Sequence, residues 1–192
     1  MSSYVLGISA FYHDSAAALV KDGIIVAAAQ EERFTRIRHD RSFPRRAVEY
    51  CLDHAGITLD ELDAVAYYED PELKYERVRS SFASAGPKGM TAFAHVYPEW
   101  RSWKRDALDV VHRELLDLHR GTPPRPENSQ HHRSHAASAY FPSPFESAAT
   151  LTIDGVGEWQ TTTVWHGQGD SLKLVNSISY PHSLGMLYSA FT

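Results

Sequence analysis

The run His131-His132-Arg133-Ser134-His135 sets two imidazoles four residues apart, and Leu151-Thr152-Ile153-Asp154-Gly155 follows with a carboxylate at the end of an apolar stretch. On a helix, the i,i+4 spacing puts His131 and His135 on one face. Two neutral imidazoles and the Asp154 carboxylate make a ligand set for a catalytic divalent metal, with positions left for water or substrate. Iron, zinc and manganese all suit such donors. Coordination needs neutral imidazoles, so metal binding is expected to fall below about pH 6.5. The same residues also fit a plainer role, with the histidines contacting solvent or backbone at a helix start and Asp154 capping a turn. His132 points about 100° away from His131 and about 60° from His135 on an ideal helix. It is a candidate for hydrogen bonding behind the ligands or for binding substrate phosphate. Ser134 either contacts the same oxygens or caps the helix. Gly155 and Gly157, having no Cβ, let backbone amides approach phosphate closely.

A second group lies near the N-terminus. His13 follows the first apolar run and precedes Asp14, at a turn where side chains enter a cleft. A histidine titrating near neutrality can take the proton of an acceptor hydroxyl; the plainer alternative is that it packs on Phe11 or Tyr12. Asp14 is a candidate partner or a simple turn former. Glu31-Glu32-Arg33 concentrates charge at a strand end, where a half-buried Arg33 would pair with a carboxylate and donate to phosphate.

These residues need elements to hold them. Val5 to Ser9, Ser15 to Val20 and Ile24 to Ala29 read as three strands of an antiparallel meander, with Lys21-Asp22-Gly23 as the tight reversal. Pro44 opens an amphipathic helix with core positions Val48, Cys51, Leu52 and Ala55, stopped by Gly56. Leu62 to Tyr68 is the next strand. From Pro71 to His119 the pattern turns helical and aromatic, broken once at Gly86-Pro87-Lys88-Gly89. Leu108, Val111, Leu115 and Leu118 recur there at helical spacing. Gly121 to Pro126 reads as a stiff connection. After an alanine-rich helix come strands at Ala148 to Asp154, Thr161 to His166 and Leu172 to Ile178, with turns at Gly155 to Gly157 and Gly167 to Asp170. The meander therefore occurs twice. An apolar helix opens after Pro181 and runs into Thr192, which predicts an unfinished second lobe.

Composition narrows the function classes. The 192 residues carry a formal net charge of −5, which gives no global electrostatic case for nucleic acid. Basic residues cluster only locally, at Arg33 to Arg46 and Arg101 to Arg105. The single cysteine, Cys51, excludes an intrachain disulfide framework and reads as core filler. No secretory signal and no membrane-length apolar run is present, so a cytoplasmic location is the default expectation. Neither a Walker-type nor a Rossmann glycine motif occurs.

Several longer motifs resemble the O-carbamoyltransferases of nodulation and antibiotic biosynthesis. They are Gly7 to Ala16 (GISAFYHDSA), Gln30 to Arg36 (QEERFTR), Phe43-Pro44, His131 to His135, Phe141 to Phe145 (FPSPF), Leu151 to Glu158 (LTIDGVGE) and Pro181 to Gly185 (PHSLG). The resemblance implies an α/β, actin-like ATPase fold of duplicated ribonuclease H-like halves, akin to the universal tRNA threonylcarbamoyl-transfer proteins. The first lobe would span residues 1–146, with a helical insert at about 71–120. Residues 147–192 would open an incomplete second lobe. The implied chemistry is transfer of a carbamoyl group from carbamoyladenylate, made from carbamoyl phosphate and ATP, to a hydroxyl acceptor such as a sugar or aminoglycoside. The resemblance makes His131, His135 and Asp154 metal ligands and places His13 in the active site. A later aspartate ligand and a C-terminal adenylate-forming domain of the family have no counterpart here. The rival readings are an inactive nucleotide- or metal-binding remnant and an actin-like small-molecule kinase.

Overall fold

The computed structural model describes residues 2–100 and 106–192, so the basic cluster at Arg101 to Arg105 and the aromatic Trp103 lie outside the described residues. The chain divides into two compact units, one of residues 1–68 with 99–128 and the other of residues 69–98 with 129–192.

The first unit is built on a five-stranded sheet. Strands β1 (Tyr4–Ser9), β2 (Ala16–Lys21) and β3 (Ile24–Gln30) form the expected antiparallel meander. Asp22 and Gly23 take the left-handed backbone, at φ 50 and 81, that a two-residue hairpin requires. Strand β4 (Ala64–Tyr67) joins β1 in parallel, and β5 (Pro126–Asn128) joins β4 in parallel. The order is β3-β2-β1-β4-β5 with only β2 reversed, which is the sheet of one half of the actin-like fold. Strand β5 falls where the sequence reads as a stiff connection. It is three residues long, begins with proline and lies at the sheet edge, the one place where a missing N–H does no harm.

Two short helices follow β3 in the chain: α1 (Glu32–Thr35) and α2 (Arg45–Ala55). Helix α2 buries Ala47, Val48, Cys51 and Leu52 against β2 and β3, and Gly56 ends it in the left-handed conformation at φ 67. Each fully buried Val or Leu there contributes about 1.5–3 kcal/mol. The N-terminus of α2 has no side-chain cap of its own. Instead Glu31, 3% exposed, accepts from the backbone N–H groups of Arg46 at 3.2 Å and Ala47 at 2.9 Å. Helix α5 (Ala107–Leu116) completes the unit's core through Val111 and Leu115, both fully buried.

The second unit holds α3 (Pro71–Ser84) and α4 (Gly86–Glu99), separated at Ala85, while Gly86-Pro87-Lys88-Gly89, expected to break the helical stretch, forms the first turn of α4. Its sheet is the antiparallel trio β6 (Ser147–Ile153), β7 (Gln160–Gln168) and β8 (Ser171–Ser179), a repeat of the first meander. Helix α6 (His131–Tyr140) packs on β6 and β7, and α7 (Leu184–Phe191) touches β7. Gly167 and Gln168, expected in a turn, extend β7 instead. Gly167 lies under the Tyr140 ring, where a Cβ would collide with it. Among the described residues no helix is long and apolar enough to cross a membrane.

Candidate functional site

Helix α6 begins after Gln130, whose φ −81 and ψ 141 mark the cap, so His131 is its first residue. Ser134 therefore lies inside the first turn rather than at the cap, with its N–H donating to the Gln130 carbonyl. The turn delivers His131 and His135 to one side, with ring centroids 4.6 Å apart. Asp154 arrives from the end of β6. Its Oδ2 lies 2.7 Å from His131 Nε2 and 3.7 Å from His135 Nε2, and the two Nε2 atoms are 3.0 Å apart. The His131 side chain is 13% exposed and the His135 side chain 53%, so the cluster is closed at the back and open at the front.

The donor geometry fits a small divalent ion. Metal bonds of about 2.0–2.1 Å to nitrogen and oxygen put neighbouring ligand atoms about 3.0–3.4 Å apart. The three observed separations straddle that range. Two imidazole nitrogens aimed at each other across 3.0 Å need a proton or a cation between them. Asp154 is oriented to serve the same centre, because its Oδ1 accepts from Gly155 N–H at 2.6 Å and leaves Oδ2 for the histidines. Hydrogen bonds from His131 and His135 hold its carboxyl well below the usual carboxylate range, against the opposing effect of burial. Burial works to lower the His131 pKa, but the Asp154 and Glu69 carboxylates outweigh it and the group is pushed up to about 9.

His132 is not brought to this cluster. Its ring is fully buried, with Nδ1 2.6 Å from Thr152 Oγ1. Thr152 is bonded in turn to Thr163 at 2.6 Å, which accepts from Trp165 Nε1 at 2.6 Å. This chain of bonds fastens α6 to β6 and β7. Burial, then the neighbouring His131, pushes His132 down to about 4, so it stays neutral.

The two glycines separate as well. A Cβ on Gly155 would meet nothing within 4 Å, leaving its surface open. On Gly157 it would press on His131 Cδ2 and His132 Cδ2 at 3.0 Å each. Gly157 is therefore small so that the start of α6 can come close.

Glu69, Lys74 and the role of Glu158 escape the sequence reading. Glu158, 4% exposed, accepts at one oxygen from the N–H groups of both His131 and Asp70, each at 2.8 Å. Glu69, 5% exposed, puts Oε2 3.7 Å from His131 Nδ1 and accepts from Lys74 Nζ at 2.7 Å on both oxygens. Glu158 is visible in the sequence as the last residue of the LTIDGVGE run. Nothing local distinguishes Glu69 from an ordinary acidic residue before a helix.

In the first unit His13 and Asp14 do meet. Asp14, at φ 50, places Oδ2 2.7 Å from His13 Nδ1 and Oδ1 2.9 Å from His39 Nδ1. Arg38 Nε donates to His39 Nε2 at 3.2 Å, which leaves Nδ1 as the hydrogen-bearing atom toward Asp14. The hydrogen bonds from His39 and then His13 lower the Asp14 pKa. With Nδ1 of His13 directed at the carboxylate, Nε2 is the atom left to face an incoming group, and the side chain is 61% exposed. Asp14, Glu32 and His39 also bring ligand-type atoms within 4.8 Å. Their atoms are engaged with one another, since Glu32 accepts the His39 backbone N–H at 3.0 Å. Arg33 stands exposed on α1, not half-buried; the buried carboxylate at this strand end is Glu31, which serves α2.

A family model described as "Carbamoyltransferase N-terminus" matches residues 4–192. An uncharacterized protein of Synechocystis sp. is 51% identical over 194 residues, covering 99% of this chain and 31% of the relative. The nodulation protein NolNO of Sinorhizobium fredii is 38% identical over 181 residues, covering 93% of this chain and 25% of its own length. The chain thus spans less than a third of either relative. Among solved structures, YeaZ from Pseudomonas aeruginosa is similar over 93% of this chain and 68% of its own, at a TM-score of 0.48 and 18% identity. Component A of the (R)-2-hydroxyglutaryl-CoA dehydratase of Acidaminococcus fermentans gives a TM-score of 0.44 at 16% identity, covering 90% of this chain and 47% of that one.

Proposed function

The chain belongs to the carbamoyltransferase N-terminus family, and on that premise we propose that it is the transfer part of an O-carbamoyltransferase. In this reading residues 1–146 are the first lobe, with the helical insert, and residues 147–192 open the second. The donor is carbamoyladenylate, made from carbamoyl phosphate and ATP by a further domain, and the acceptor is a hydroxyl of a sugar or aminoglycoside. The observation that carries the reading is the convergence of His131, His135 and Asp154 in a chain of this family. Those three would hold an iron, zinc or manganese ion, which when bound supplies Lewis acidity to phosphate and carbonyl oxygens.

The remaining work falls to the chain's own groups. His13, held at Nδ1 by Asp14, takes the acceptor hydroxyl proton at Nε2. The acceptor oxygen bonds to the carbamoyl carbon as the carbon–oxygen bond to the phosphate breaks, and adenosine monophosphate departs with the bonding pair. The empty space where a Cβ would stand on Gly155 gives the phosphate room to approach. Exposed Arg33, and Ser134 in the first turn of α6, remain proposed contacts for nucleotide oxygens; buried His132 serves them only by fixing α6.

The test supplies radiolabelled carbamoyl phosphate, ATP and a panel of sugars and aminoglycosides to this chain and to a longer version carrying the C-terminal part. Labelled acceptor with release of adenosine monophosphate from the longer version supports the proposal. No carbamoyl-dependent release of adenosine monophosphate and no labelled acceptor across the panel overturns it in favour of a binding remnant. Phosphorylated acceptor formed without carbamoyl phosphate replaces it with a kinase.

A further inference from the structure

We propose that Glu69 is a positioning residue for His131, holding the ring from behind so that Nε2 is presented to a metal, with Lys74 and Glu158 fixing Glu69 in place. The inference rests on the metal reading of His131, His135 and Asp154. An imidazole ligates through Nε2 only when Nδ1 carries the proton, and a carboxylate behind Nδ1 fixes both the tautomer and the ring plane. His131 Nε2 faces Asp154 and His135, and its other nitrogen looks toward Glu69 Oε2 at 3.7 Å.

Two observations argue that this arrangement is built rather than incidental. Glu69 is 5% exposed, and burying a carboxylate is costly unless it is paired. Lys74, in the first turn of α3, reaches both Glu69 oxygens at 2.7 Å, and its own side chain is only 16% exposed. A buried ion pair adds little to stability over apolar side chains of similar volume. Its value here lies in what the carboxylate faces.

The second observation is the pair of hydrogen bonds that Glu158 accepts. One oxygen, Oε1, accepts from the N–H of Asp70 and from that of His131. Asp70 is the residue after Glu69, so a single buried acceptor ties together the backbones that carry the carboxylate and the ring. Arg77 Nε, donating to the Glu158 carbonyl at 2.8 Å, ties α3 to the same point. Asp70 itself caps α3, accepting from Glu72 and Leu73 N–H at 3.0 Å each. The spacing between Glu69 and His131 is thereby set by backbone hydrogen bonds, not by flexible side chains alone.

Zinc titration calorimetry at one fixed pH tests this on the 192-residue chain and on Glu69→Ala, Glu69→Gln, Lys74→Met and His135→Ala. Nitrogen-detected NMR of the zinc-loaded proteins reads the His131 tautomer. Glu69→Ala is expected to weaken zinc about 10–100-fold and to erase the fixed Nδ1–H signature. Glu69→Gln, whose amide oxygen still accepts, is expected to lose less, and Lys74→Met to fall between the two. A purely structural role would lower the melting temperature and leave zinc affinity and tautomer unchanged. Folded Glu69 variants binding within about twofold of the parent, with the same tautomer, overturn the inference. Should Glu69→Ala not fold, Glu69→Gln and Lys74→Met decide by the same criteria. Loss of zinc in His135→Ala alone removes only this inference. Equal zinc binding by the parent and His135→Ala removes the metal reading with it.

Discussion

His131 and His132 are consecutive in the chain, with ring centroids 5.8 Å apart, yet they stand in opposite electrostatic settings. The first faces two carboxylates and is pushed up to about 9, and the second is buried among threonines and pushed down to about 4. In metal-free protein their contributions to stability have opposite pH dependence. His131, with its pKa raised on folding, stabilises fully below about pH 6.5 and loses that contribution as pH rises through about 9. His132, with its pKa lowered, contributes above about pH 6.5 and loses it as pH falls toward about 4, because the unfolded ring takes up the proton first. Each limb is worth about 3 kcal/mol. Urea unfolding in the presence of a chelator should place maximum stability near pH 6.5, and His131→Asn should flatten the alkaline limb. An alkaline limb unchanged in that variant would refute the assignment.

Metal binding should release a proton at neutral pH. The ordinary histidine value would let affinity level off above about pH 6.5. The carboxylates around His131 move that limit to about 9, so an incoming cation competes with a bound proton throughout the neutral range. Zinc affinity should therefore rise about tenfold per pH unit from about 7 to about 9, and titration heats should differ between buffers in proportion to their ionisation enthalpy. Heats independent of buffer would count against a protonated His131.

The glycines after Asp154 should respond differently to the same change. Gly155→Ala adds a methyl group to open space and should alter stability by less than about 0.5 kcal/mol. Gly157→Ala presses on both histidine rings at 3.0 Å and should cost about 1–3 kcal/mol while weakening zinc. Thermal melts with zinc titrations on both variants check the contrast; equal effects would contradict the close approach of α6.

In the longer version to which the proposal assigns transfer, His13→Ala should lower the carbamoyl-transfer rate by about 10²–10⁴-fold. Asp14→Asn should lower it less and leave adenylate binding intact, since that carboxylate acts through the ring it orients. Single-turnover rates with preformed carbamoyladenylate measure both. Parent-like transfer in His13→Ala would remove the base from the proposal.

Both meanders, helix α2 and the histidine face of α6 were legible because each is local: strand alternation, a turn at Asp22-Gly23, an i,i+4 pair. Strand β5 was hidden since it pairs with β4 across 61 residues of sequence, as in Val65 with Pro126, and its Pro-Glu-Asn composition opposes a strand. Glu69 and Lys74 were hidden for a related reason. Their importance lies in burial against a histidine 62 residues later in the chain, which no spacing rule encodes. The role of His132 escaped because helical geometry gives its direction but not what waits there. Thr152 and Thr163 do, and only the β6–β7 register brings them together.

The first turn of α7 rests directly on Asp154. Ser183 Oγ donates to the carbonyls of Gly155 at 2.7 Å and Asp154 at 3.2 Å, and Gly185 packs so closely on the Asp154 backbone that it has no room for a Cβ. The backbone at Asp154 is thus clamped by the start of α7. If the proposed metal site is correct, a carboxylate on so fixed a backbone would yield little to a larger ion. In the proposed metal site an ion with bonds near about 2.1 Å would need only small shifts of the three donors, whereas calcium, at about 2.3–2.6 Å and with six to eight oxygen ligands to satisfy, would find too few oxygens. Under that proposal, discrimination among cations would come from the stiffness of the scaffold, set by Ser183 and Gly185 rather than by the donors themselves.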